Sequence, residues 1–220
     1  MPNQIQYIPF TEIDEEVLFR GFPSFQMQGD TFNGVCAGKV LHVFELSRPS
    51  RRFRYGLICG QAPIPANRHT NPGTSGHKPN NIAAVVHDSC SVPHVLREAI
   101  KTAEAAGKLA PMELGRLVQA ACDQRLFPNH DDAVASLFPD ANARRRCNIR
   151  KFAQFHDLVD GVIAKPEALN QSQVLRLEAA FRKGFGTRIR TLLQESGATQ
   201  PREQWAALLP ILAEAEQKAA

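Results

Sequence analysis

The sequence predicts an α+β protein: a small mixed α/β N-terminal region, residues 1–91, followed by an all-helical region, residues 92–220, that contains a helix-turn-helix. Three observations predict it. Up to residue 87 the apolar residues fall in short, strand-like runs separated by stretches rich in Pro, Gly and Asn. From Val92 they recur at three- and four-residue spacing, with stops at Gly107, Pro139, Pro166 and Gly184. The charge is divided in the same way, because the cations behind a modest net charge of +4 cluster in the second half.

Taken in order, Ile5-Gln-Tyr-Ile-Pro-Phe10 alternates like a strand and leads into a turn or short helix after Thr11. Arg20 to Lys39 has no clear period. Val40–Leu46 and Arg54–Cys59 read as two strands joined by the basic loop Arg48-Pro-Ser-Arg-Arg-Phe-Arg54. A loop rich in Pro, Gly, Asn and His follows from Gly60 to Asn81, and then a strand at Ile82–Val86. Val92 to Gly107 is a helix with Val95, Leu96, Ala99, Ile100 and Ala103 on its apolar stripe, and Pro111 begins the next. Asn129 or Asp131 caps a short helix that buries Ala133, Val134 and Leu137, and Pro139-Asp140 ends it. Asn142 caps a second helix, expected to continue to Ile163 before the break at Lys165-Pro166. Asn170 with Gln173 forms a capping-box start for a further helix. Arg188 to Leu193 is a short helix, and the last starts at Pro201 with Trp205, Leu208, Leu209, Ile211 and Leu212 apolar.

The helix after Asn142 carries Arg144, Arg145, Arg146, Arg150 and Lys151 with no acidic residue among them, while Ile149, Phe152 and Phe155 form its apolar side. Two helices joined by a tight turn, the second rich in Arg and Asn, are how a helix-turn-helix reads the major groove. The arginine fork fits guanine O6 and N7, and asparagine fits adenine N6 and N7. Asn142, Arg144, Arg145 and Asn148 therefore stand as base readers, and Arg146, Arg150 and Lys151 as phosphate contacts. Arg182, Lys183, Arg188 and Arg190 form a second cluster that either grips the DNA backbone or is a solvated helix end. Double-stranded DNA is the expected partner, and an ordinary basic helical hairpin is the alternative.

Other classes fare worse. No apolar run approaches the roughly 18 residues of a membrane helix, and Met1-Pro-Asn-Gln4 does not open a secretory leader. Cys36, Cys59, Cys90, Cys122 and Cys147 are odd in number and scattered, which predicts reduced thiols in a cytoplasm. Cys59, His69, His77, His87, Cys90 and His94 are of types that zinc accepts, but no Cys-x-x-Cys or His-x-x-x-His pair organises them. They read as loop and core residues, a metal site, or a catalytic thiol at Cys90 with a nearby His, and no metal or catalytic residue is assigned. The glycines between 60 and 76 lack phosphate-loop spacing, so no cofactor is expected.

Residues 110–195 resemble the DNA-binding domain of the ParB family of partition proteins, its plasmid branch in particular. The matching stretches are Met112–Gln119, Asp132–Phe138 and Asn142–Phe152, followed by His156–Ile163 and Lys165–Leu177. The resemblance implies a DNA-binding protein of plasmid or mobile-element origin, acting in partition or transcriptional control. It also implies a dimer on a pseudo-palindromic site. Family members that hydrolyse CTP carry an arginine-rich Gly-Glu-Arg-Arg box. Pro49-Ser-Arg-Arg-Phe-Arg-Tyr55 lacks its Gly-Glu pair, so DNA binding is carried over and hydrolysis is not. Two alternatives stand beside this reading. One is a ParB-like nuclease or nucleotide hydrolase that depends on Arg51, Arg52 and Arg54. The other is an interaction protein aimed at a conjugation or defence complex, with a protein partner on the N-terminal region.

Overall fold

The computed structural model describes residues 5–15, 17–18, 40–60, 81–105, 109–159 and 161–218. Its architecture is α+β, a mixed five-stranded sheet in the N-terminal part and helices thereafter. The chain divides into two compact units, Met1–Lys108 with Ala120–Phe138, and Leu109–Gln119 with Pro139–Ala220.

In the first unit the strands are β1 (Ile5–Pro9), β2 (Ile13–Asp14), β3 (Leu41–Glu45), β4 (Tyr55–Cys59) and β5 (Asn81–His87), in the order β1-β5-β3-β4-β2. A 3-10 turn, Phe10–Glu12, joins β1 to β2. β1 pairs antiparallel with β5, which runs parallel to β3; β3 is antiparallel to β4, and β2 is parallel to β4. One face buries Ile8, Ile13, Leu41, Val43, Tyr55 and Ile82, as period-two alternation requires. The expected loop between β3 and β4 is a turn in which Ser50 Oγ accepts from the backbone N–H of Arg52 and Phe53 at 3.2 and 2.8 Å. Helix α1 (Val92–Ala105) buries the predicted stripe and packs on β4 and on α3 (His130–Leu137). Arg97 Nε donates to the Ser136 carbonyl at 2.9 Å across that pair. Asn129 is the α3 cap, accepting from Asp132 N at 2.9 Å.

The helix α2 (Pro111–Asp123) contributes residues to both units. The second unit also holds α4 (Ala143–Val159), α5 (Gln171–Ala180), α6 (Gly186–Ser196) and α7 (Pro201–Gln217). Phe152, Phe155, Leu177, Ile189, Leu208 and Leu212 are at the centre of its core. At α5 both halves of the capping box form: Asn170 Oδ1 accepts from Gln173 N at 3.0 Å and Gln173 Oε1 accepts from Asn170 N at 2.9 Å.

Three expectations need correction. α4 stops at Val159 rather than Ile163, because the chain turns through Gly161, whose φ of 71° suits glycine, and Val162 and Ile163 donate back to the Val159 carbonyl. The helix drawn from Arg188 begins earlier, at Gly186, and follows a kink, Phe181–Phe185, in which Gly184 takes a non-helical φ of 87°. The reduced-thiol expectation holds for Cys90, Cys122 and Cys147 but not for Cys59, which is disulfide-bonded. The stretch 20–39 with Cys36, and most of the 60–81 loop with His69 and His77, lie outside the described residues.

Candidate nucleic-acid interface

α4 starts where its sequence says it should. After the Pro139-Asp140 turn, Asn142 Oδ1 accepts from Arg145 N at 2.8 Å, and the Asn142 carbonyl accepts from Arg146 N at 3.0 Å. The Asn142 carbonyl oxygen is thus held by the backbone, which leaves its amide NH2 as the group for a base edge. Along the helix Ile149, Phe152, Ala153, Phe155 and Val159 are buried. At about 100° per residue, Arg150 and Lys151 fall on the side away from that stripe, and Arg144 lies at its Phe155 edge. Arg145 lies above the stripe but in the first turn, before the core begins, and is exposed. Arg144 and Asn142 are exposed too; Arg146, Asn148, Arg150 and Lys151 are half-buried. The helical spacing therefore sets Arg150 and Lys151 away from the packed side, Arg144 at its edge and Asn148 toward it.

The second cluster is largely engaged by its own unit. Arg188 Nη1 donates to Glu214 Oε1 at 2.7 Å and the guanidinium lies 5.4 Å from the Phe185 ring centre. That bond holds the Glu214 carboxyl below its ordinary range and raises Arg188. Arg190 Nη2 donates to the Leu158 carbonyl at 3.1 Å and sits over Phe181. Arg182 Nε is 3.7 Å from Glu178, and Lys183 Nζ donates to the Ala215 carbonyl. These residues fasten the Phe181–Phe185 kink and α6 to α4, α5 and α7. Lys183 alone is brought beside the α4 cations, for it lines the same groove as Arg144. Sequence reading missed two residues of that groove, Ser172 and Arg176. Their signal was faint: they follow the Asn170 cap, and only tertiary packing turns them toward α4.

The predicted helix-turn-helix divides at its turn, since α3 belongs to the first unit and α4 to the second. In the first unit the candidate ligand residues have local tasks. The buried His87 Nε2 lies 2.8 Å from His42 Nδ1, with the two rings stacked. Desolvation, then the neighbouring His42, lowers the pKa of His87 to about 4. Asp88 accepts from Ser91 N and Oγ at the start of α1, while Cys90 and His94 are exposed. Arg54 is paired with Glu45 at 3.0 Å and Arg52 stacks on Phe53. Among the described residues no three His, Cys, Asp or Glu side chains come together as a metal site, and no helix is long and apolar enough to cross a membrane. No family model, curated protein or solved structure matches the chain.

Proposed function

We propose that the protein binds double-stranded DNA through α4. The observation that carries this reading is the helix itself: a firmly capped N-terminus, an apolar side anchored in its own unit, and Arg144, Arg145, Arg150 and Lys151 in a helix whose sequence holds no Asp or Glu before Asp157. The width of the major groove admits such a helix, and arginine at its first turns reaches base edges. The resemblance to the ParB DNA-binding domain supports the same reading and extends it to a dimer in partition or transcriptional control of a plasmid or mobile element. A second reading, an interaction protein, is kept beside it, because α3 and α4 are assigned to different units.

A titration of random-sequence duplex at two salt concentrations tests the choice. Each phosphate contact should weaken binding about threefold between about 50 and 200 mM salt, and an Arg144→Ala/Arg145→Ala/Arg150→Ala variant should bind at least about tenfold more weakly with a salt slope lower by about 1 for each phosphate contact it loses. Wild-type protein with no affinity for duplex at the lower salt would reject DNA binding in favour of the protein-partner reading.

A further inference from the structure

A groove of about 560 Å³ opens within the helical unit, bounded by the first turn of α4, the length of α5 and the last turns of α7. Its floor is aliphatic, with Leu175, Ala179 and Leu212. Its rim is cationic, with Arg144, Arg176 and Lys183 against one carboxylate, Glu216. Glu216 accepts from Arg176 Nε at 2.7 Å, the Arg176 guanidinium lies 5.7 Å from the Trp205 ring centre, and Lys183 gives one of its three protons to the Ala215 carbonyl. Arg144 makes no side-chain hydrogen bond or ion pair among the described residues. Gln171 and Ser172 add the first turn of α5, whose earliest N–H groups have no acceptor within the helix. The rim therefore has positive charge to spare, and the volume lies within the range of small-molecule sites.

We propose that this groove binds an aliphatic organic anion, a carboxylate or phosphate monoester whose apolar tail lies along Leu175, Ala179 and Leu212 while its head meets Arg144, Arg176, Lys183 and Ser172. Each half of the site excludes a simpler ligand. A bare inorganic ion would leave the aliphatic floor wet, and a neutral lipid would leave the rim cations unanswered. No aromatic ring lines the groove, so a nucleobase has no surface on which to stack. The site stands independently of DNA binding, although Arg144 belongs to both.

Calorimetric titration of the full chain, without DNA, tests it. The probes are octanoate and octyl phosphate, with acetate as charge without tail and 1-octanol as tail without charge. Saturable binding of one or both anions at a single site is expected, about tenfold or more tighter than either control, as charge-assisted hydrogen bonds in a partly desolvated groove require. Whichever anion binds better identifies the head group. Arg144→Gln, at an exposed position that leaves the fold intact, and Ala179→Glu, which puts a carboxylate on the floor, should each weaken binding about tenfold. Octanol binding as tightly as octanoate, anions binding no better than acetate, or wild-type affinity in both variants would each overturn the proposal. None of these results bears on duplex affinity, which is measured separately.

Discussion

Among the described residues, His87 is a titratable side chain on which the fold acts strongly. It is buried at the end of β5 beside His42, and water loss lowers its pKa from 6.5 to about 4. A histidine depressed in the folded state is neutral there while the unfolded chain takes up a proton. Its contribution is therefore fully present above pH 6.5 and is lost as pH falls toward 4, on the order of 3 kcal/mol in all. We expect urea-unfolding stability to drop by about 2 kcal/mol more between about pH 7 and 5 in wild type than in His87→Gln. Equal pH dependence in the two proteins would refute the assignment. His87 stood out in the sequence, but its partner did not. His42 is distant in the chain and reaches it only because β3 lies parallel to β5, with Phe44 opposite His87 and His42 opposite Val85. The α4 cap at Asn142, by contrast, was legible because cap and helix are three residues apart.

Among the elements, α2 shows where local rules mislead. Alanine is a better helix former than glycine by about 1 kcal/mol, so propensity alone predicts that Gly115→Ala stabilises. Gly115 is buried, however, and a Cβ there would collide with the backbone of Phe152 in α4. We expect Gly115→Ala to lower the melting temperature, by several degrees for a cost of about 1–3 kcal/mol; an unchanged or raised value would show that α2 and α4 can separate freely. Stops and caps at Pro111, Asn129, Asn142, Asn170 and Pro201 could all be read from the chain, since each acts within one turn. The kink at Phe181–Phe185 could not. Its only trace was a pair of glycines, and whether Gly184 ends a helix or re-aims one depends on how Phe181 and Phe185 pack.

At the scale of the molecule, the α+β division was legible in the change of hydrophobic period near residue 88, but the grouping of elements was not. Nothing in the order of residues says that Ala120–Phe138 joins the sheet while Leu109–Gln119 joins the later helices. The groove was hidden for the same reason, since Arg144, Arg176 and Glu216 meet only in three dimensions. His87 and Asn170 belong to different units, so changes at the two should lose stability additively. Asn170→Ala removes the α5 capping box at a cost of about 1 kcal/mol. Combined with His87→Gln, its effect should equal the sum of the single changes to within about 0.5 kcal/mol by denaturant unfolding, and a larger coupling would contradict the division. The acidic end of α7 has a final consequence. Glu214 and Glu216 are already the counterions of Arg188 and Arg176. A polyanion gains from a cation chiefly by setting free the small ions condensed around its own charge, and a guanidinium neutralised from within offers it little. This chain carries part of its own salt, and its valence toward a polyanion is smaller than its arginine count.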